Sequence, residues 1–163
     1  MKTCLVGCGG IAAVHGSVLT SGIDTEFVAA ADIKPEKAQT YAENFHTKPY
    51  PSLESMLDAE KPDVLHICTP HYLHVPMTIY ALERNINVFM EKPPAISFDQ
   101  LEELKKAAAK SEAQLGFCYQ NRYNASIRAA KDLIDSGKAG KVLGARAFVT
   151  WCRGAAYYTE SGW

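Results

Sequence analysis

The residue types able to do chemistry lie in short segments, each following an apolar run of strand length. The first segment is Gly7-Cys8-Gly9-Gly10-Ile11-Ala12. A first glycine permits a tight turn, a second lets backbone approach a pyrophosphate, and the small Ala12 lets the next helix pack closely. The N-terminus of that helix offers free N–H groups and a positive dipole end to phosphates. Asp32 follows at the end of the second strand-like run. An acid there accepts the hydroxyls of an adenosine ribose. A tight turn with a helix-capping aspartate is the competing reading. The strand, loop and helix context together with Asp32 favours a dinucleotide. A carboxylate at position 32 repels a 2′-phosphate, so NAD is preferred to NADP; Lys34 partly offsets this.

The second segment is Thr69-Pro70-His71-Tyr72-Leu73-His74, at the C-terminal end of a strand. Ligands of open α/β sheets bind outside such ends, which puts His71 and His74 within reach of a cofactor. A loop with a proline stop and two histidines at a helix start fits equally well. A zinc site from His66, Cys68, His71 and His74 is disfavoured because the usual paired ligand spacings are absent, and no metal is expected. The third segment is Glu91-Lys92-Pro93. A lysine over a nicotinamide can move a proton to or from a hydroxyl while hydride moves at carbon. Partial burial and the charge of oxidised nicotinamide would push its pKa down, whereas pairing with Glu91 would oppose that. From spacing alone, a solvated charge pair before a proline turn is the better reading. The fourth segment, Gln120-Asn121-Arg122-Tyr123, is polar and placed where a substrate can sit. A helix start capped by Asn121 is at least as good a reading. His15 is assigned to packing, and Cys8 to a small neutral role in the glycine loop.

Strands and helices alternate along the chain, the pattern of βαβ units. Thr3 to Val6 and Glu26 to Ala31 read as strands, as do Val64 to Cys68, Val88 to Met90 and Leu115 to Tyr119. Leu115 to Tyr119 is counted as the sixth of about six by residue 136. Ile11, Val14, Val18 and Leu19 share one helical face, with Gly22 as a stop. Pro35 occupies a helix N1 position before Ala38, Tyr41, Ala42 and Phe45. Ser52 to Ala59 forms a short helix, and Val75, Ile79 and Leu82 mark another. Ser97 and Gln100 make a capping box ahead of a buried stripe of Phe98, Leu101, Leu104 and Ala108, with Glu102 and Lys106 paired outside. Ile127, Ala130 and Ile134 mark a last helix closed by Gly137. From Val142 to Trp151 strict alternation predicts a long half-buried strand with no helix after it. The fold class is therefore α/β, a doubly wound parallel sheet over 1–120. It is followed by the start of a truncated α+β domain over 121–163.

Composition excludes some classes. Hydrophobic residues are 47% and charged residues 21%, with a net charge of −1, so no basic stripe for nucleic acid is present. No apolar run reaches the ~18 residues of a membrane span. The start lacks a signal-peptide pattern, and five unpaired-looking cysteines suit reduced thiols, so a cytoplasmic protein is expected.

Taken in order, Gly7-x-Gly9-x-x-Ala12, Asp32, Thr69-Pro70-His71-Tyr72-Leu73-His74, Glu91-Lys92-Pro93 and Gly116 to Tyr123 resemble the Gfo/Idh/MocA family of oxidoreductases (glucose–fructose oxidoreductase, inositol dehydrogenase). The resemblance spans essentially the whole chain. Its most specific part is Glu-Lys-Pro in company with Thr-Pro-x-x-x-His. It implies a two-domain NAD(P)-dependent dehydrogenase acting on the CH–OH group of a sugar, cyclitol or related polyol. It assigns Lys92 as the catalytic lysine. Gly7, Cys8, Gly9, Gly10, Ile11, Ala12, Asp32, Thr69, Pro70, His71, His74, Glu91, Lys92 and Gln120 fall to the cofactor, although many members carry asparagine at the position of His71. Lys92, Asn121, Arg122 and Trp163 fall to the substrate. Family members continue into an open antiparallel sheet that holds a second catalytic pair and the usual homo-oligomer interface. This chain alone is therefore expected to turn over little. A non-catalytic NAD-sensing module or a pseudo-enzyme is the alternative.

Overall fold

The computed structural model describes residues 1–21 and 24–159. The chain divides into two units, one ending at Cys118 and the other beginning at Tyr119. Gly22, the expected stop of the first helix, and Trp163, the expected substrate contact, lie outside the described residues.

The first unit holds six strands: β1 (Lys2–Val6), β2 (Glu26–Ala31), β3 (Lys48–Tyr50), β4 (Val64–Ile67), β5 (Asn87–Glu91) and β6 (Leu115–Cys118). Its helices are α1 (Gly10–Leu19), α2 (Pro35–Phe45), α3 (Leu53–Glu60), α4 (His74–Leu82) and α5 (Phe98–Lys110). All strand pairs are parallel, in the order β3-β2-β1-β4-β5-β6. This is a Rossmann-like doubly wound sheet. The chain winds outward from β1 to β3 and then returns to lay β4 against the other side of β1. That reversal opens a crevice at the C-terminal ends of β1 and β4.

The strands form where the sequence is apolar and short. Cys4, Leu5, Val6, Leu65, Ile67, Val88 and Met90 are all buried. One face packs against Leu53, Met56 and Leu57 of α3, Val75 and Leu82 of α4, and Leu104 of α5. Fully buried Met56, Leu65 and Leu82 each contribute about 2 kcal/mol through removal from water. The other face packs Leu5 and Ala30 against Ala12 of α1 and Tyr41 of α2. Helix starts follow the local chemistry. Ser52 and Ser97 accept the N–H groups of Ser55 and Gln100, while Pro35 opens α2. Gln100 Oε1 reaches back to the N–H of Ile96, completing a variant of the capping box.

Several expectations need correction. Lys48–Tyr50 is a strand that none of the named apolar runs includes. The buried face of α1 is Ala12, His15, Gly16 and Leu19, whereas Ile11, Val14 and Val18 are exposed. The helix is seated by its small residues: a Cβ on Gly16 would lie 2.6 Å from the Tyr41 hydroxyl. Phe98 is 87% exposed because it sits in the first turn of α5, before the helix reaches the sheet. Glu102 pairs with Lys105, not Lys106.

The second unit holds a short 3-10 turn (Gln120–Tyr123), α6 (Ala125–Asp135) and α7 (Ala155–Thr159). Asn124, not Asn121, precedes α6 as its cap residue. The long strand expected over 142–151 is absent. That segment pairs with no strand among the described residues, and a lone strand has nothing to satisfy its backbone or cover its apolar side. Leu143, Phe148 and Trp151 are accordingly exposed. No helix among the described residues is long and apolar enough to cross a membrane.

Candidate active site

Four strand ends bring the motif residues of the first unit to one edge. Gly7 to Gly10 leave β1, Asp32 leaves β2, Thr69 and Pro70 leave β4, and Lys92 leaves β5.

The glycine turn is shaped by two constraints. Gly7 has φ +93°, and a Cβ there would lie 2.7 Å from Cys68 C and Thr69 N. Only glycine allows the β1 turn to approach the β4 backbone this closely. A Cβ on Gly9 or Gly10 would meet nothing within 4 Å, so the space above the turn is open. Helix α1 then starts with no side-chain cap and no acid in its first turn, leaving its positive end uncompensated. The turn is tied to β2 by Asp32. Its Oδ2 accepts the Cys8 N–H at 2.9 Å, and its Oδ1 accepts the Lys34 N–H at 2.9 Å. Burial, and then the charge of Asp32, pushes the Cys8 thiol up to about 12, so it stays neutral. These features fit a dinucleotide pyrophosphate above the turn.

The β4 and β5 ends are joined by His74. The side chain is fully buried, with Nδ1 2.8 Å from Pro93 O and Nε2 2.9 Å from Thr69 O. Both partners are acceptors that call for N–H donors. His74 therefore sits behind the edge and holds two loops together. Thr69 Oγ1 is buried without a hydrogen-bond partner among the described residues, an uncompensated polar atom beside the Gly7 turn. His71 is half-buried. Burial, and then the charges of His74 and Lys92, holds its imidazole below the ordinary value.

Glu91 and Lys92 do not form the solvated pair that their spacing suggests. Glu91 is 4% exposed and its Oε1 lies 3.1 Å from His15 Nε2. Its Oε2 accepts the backbone N–H of Lys92 at 3.2 Å. Burial pushes the Glu91 carboxyl up, but hydrogen bonds from His15, Cys118 and Lys92 N–H and the charge of His15 outweigh it. The carboxyl is held below its ordinary value. The Lys92 side chain is exposed and makes no ion pair among the described residues.

His15 is thus more than packing. Its Nδ1 lies 2.9 Å from His66 Nδ1, which extends the buried chain into β4. Sequence reading missed this cluster because the partners are far apart in the chain; a histidine on the buried side of α1 was the one available sign. Donor atoms of His15, Glu91 and Cys118 lie within 4.8 Å of one another, a spacing a metal could bridge, but hydrogen bonds already join them. The group of His66, Cys68, His71 and His74 does not converge, since His66 turns to His15 and His74 to two carbonyls. Gln120, Asn121 and Arg122 lie exposed in the 3-10 turn of the second unit. Two open hollows of about 460 and 480 Å³ are lined by other residues, along α4–α5 and at the opposite ends of the strands.

Comparisons with known proteins match the sequence and the fold of this chain. D-glucoside 3-dehydrogenase of Escherichia coli is 29% identical over the whole chain, which spans 46% of that enzyme. The 2,7-anhydro-N-acetylneuraminate hydratase of Mediterraneibacter gnavus is 32% identical over 88% of the chain and 38% of the enzyme. The chain thus spans less than half the length of these relatives. Among solved structures, WlbA dehydrogenase from Bordetella pertussis, in complex with NADH and UDP-GlcNAcA, superposes with a TM-score of 0.82. It is 30% identical, over 86% of this chain and 43% of that one. The myo-inositol 2-dehydrogenase of Lactobacillus plantarum gives a TM-score of 0.81 at 28% identity, over 87% and 43%. The model of the Gfo/Idh/MocA oxidoreductase family, NAD-binding Rossmann fold, matches residues 1–119, so it takes in every strand of the sheet and all four strand ends of the edge: the chain belongs to that family.

Proposed function

We propose that the chain forms the nucleotide-binding part of a dehydrogenase that moves hydride between NAD and a CH–OH carbon of a sugar or cyclitol. One observation carries the reading. Lys92 stands exposed at the end of β5, on the same edge as the glycine turn and Asp32, with its backbone N–H held by a buried carboxylate. A lysine that makes no ion pair among the described residues is available to a substrate hydroxyl. Bound NAD supplies the carbon that takes or gives hydride. Lys92 takes the hydroxyl proton during oxidation and returns it during reduction. Gly7, Cys8, Gly9, Gly10, Ile11 and Ala12 hold the pyrophosphate. Asp32 holds the adenosine ribose and favours NAD over NADP. Thr69, Pro70, His71 and Glu91 shape the nicotinamide side, with His74 holding their loops. Gln120, Asn121 and Arg122 enter this reading through the family order alone. The substrate class rests on the sugars and inositols named for the relatives.

The test is a kinetic assay of the protein carrying this chain. NAD is offered with a panel of D-glucosides, glucose 6-phosphate and inositols, and NADH formation is followed. Lys92→Ala is expected to lower kcat by about 100-fold or more while NADH affinity stays within about threefold. An unchanged kcat removes Lys92 from the chemistry. NADH binding with no turnover on any polyol favours a non-catalytic NAD-sensing module instead.

A further inference from the structure

We infer that His15 is a positioning residue that braces Lys92 against the helix under the nucleotide loop; this rests on the reading of Lys92 above. His15 lies in the second turn of α1, the helix that opens at Gly10 directly after the glycine turn. Its Nε2 meets Glu91 Oε1, with both side chains only 6% and 5% exposed. The other Glu91 oxygen accepts the Lys92 N–H. One carboxylate therefore links the phosphate-loop helix to the peptide of the lysine, across 76 residues of sequence.

The direction of each hydrogen bond follows from the charges. An ionised Glu91 only accepts, so His15 Nε2 carries a hydrogen. Between the two Nδ1 atoms, one nitrogen donates and the other accepts. A neutral His15 receives the bond from His66, and a protonated His15 gives it. In both cases Nε2–H still faces Glu91. His66 itself stays neutral, because burial and then the charge of His15 lower its pKa to about 4. The His15 ring is also fixed edge-on to His66 and tilted against Phe89, with centroids 5.2 and 5.9 Å away. A buried histidine held from both sides costs desolvation that an apolar residue would avoid. What it gives in return is a fixed carboxylate at the base of Lys92.

Glutamine and asparagine separate positioning from packing, because their amides reach different ring nitrogens. His15→Gln places an N–H near Nε2 and keeps the Glu91 bond. His15→Asn reaches only the Nδ1 position and keeps the His66 contact. In the protein carrying this chain, with the best polyol of the panel above, His15→Asn is expected to lower kcat about tenfold. The affinity for ADP-ribose, which probes the nucleotide loop alone, should stay within about twofold. His15→Gln is expected to retain kcat within about threefold. Equal losses in the two variants, tracking their thermal midpoints, would mean a packing role and overturn the inference. So would full kcat in His15→Asn beside a dead Lys92→Ala. Full kcat in Lys92→Ala brings down the functional reading, and the inference with it. A measurement on the unaltered chain needs no variant to fold. Histidine ¹⁵N spectra should show Nε2 of His15 protonated at neutral pH, and a bare Nε2 refutes the brace.

Discussion

Glu60 offers a perturbation that should change stability and leave the nucleotide edge alone. It ends α3 with a side chain only 5% exposed, at the N-terminal side of the sheet. Its Oε1 accepts the Tyr50 hydroxyl at 2.7 Å and the Lys48 ammonium at 2.9 Å, and its Oε2 pairs with Lys2 at 2.9 Å. These three hydrogen bonds lower the carboxyl from its ordinary 4.5 to about 2, against the opposing effect of burial. A hydrogen bond to a charged group is worth about 1.5–3 kcal/mol. The lysines are 34% and 68% exposed, so water screens both and each pair adds only a fraction of a kcal/mol. Glu60→Gln keeps one oxygen for Tyr50 and Lys48 but removes the negative charge and turns its N–H groups toward the Lys2 ammonium. The expected loss is about 2 kcal/mol at pH 7, or roughly 4–8 °C in Tm for a chain of this size. The pH dependence fixes the sign. A depressed carboxyl stabilises the fold fully above pH 4.5, and the contribution fades as pH falls from 4.5 to about 2. The gap between the parent chain and Glu60→Gln should therefore be full at neutral pH and close near pH 2. Urea unfolding at several pH values measures it, with NADH affinity as the control expected to stay unchanged. A gap that persists unchanged to pH 2, or one below about 0.5 kcal/mol at pH 7, refutes the reasoning.

Two further substitutions probe the nucleotide loop. Gly7→Ala puts a methyl group 2.7 Å from backbone atoms of β4's exit at a φ of +93°, and neither chain can move aside cheaply. It should cost about 3 kcal/mol in urea unfolding and weaken NADH binding in a fluorescence titration; a fully stable, tightly binding variant contradicts the role given to that turn. Asp32→Asn removes the carboxylate that would face a 2′-phosphate and keeps an oxygen for the Cys8 N–H. The NADP/NAD affinity ratio should rise about tenfold in parallel titrations, and an unchanged ratio removes Asp32 from cofactor choice.

The central strands of the sheet were legible because each is a short, mainly apolar run, interrupted in β4 by His66, as suits a doubly covered parallel strand. β3 was not, since Lys48-Pro49-Tyr50 has neither alternation nor a run; a proline is tolerated there because the strand is the sheet's edge. The α1 face was misread for a related reason. Periodicity finds the largest apolar residues, but this helix packs through Ala12, His15, Gly16 and Leu19, while Ile11, Val14 and Val18 face outward. The motif positions of the first unit were legible as types, and their partners were not. Glu91 next to Lys92 suggests a local pair, yet its partner is on α1. Contacts of that range follow from the sheet order, which fixes which strand ends meet only once all strands are laid down.

That order gives the edge its main physical property. Each loop is fastened to another by one polar side chain. Asp32 ties the β2 end to the glycine turn. His74 ties the β4 end to the loop after β5. His15 and Glu91 tie α1 to β5. Loops are normally the least rigid part of an α/β fold. Here the motif residues of the first unit belong to a hydrogen-bonded frame, so their spacing is set by the chain itself. Preorganisation of this kind reduces the ordering cost of binding. It also means that substitutions at Asp32, His74 and His15 should not act additively with those at the residues they hold. A double-mutant cycle between His15→Asn and Lys92→Ala should therefore show kcat losses well short of their product, because once the lysine is gone the brace has nothing left to position.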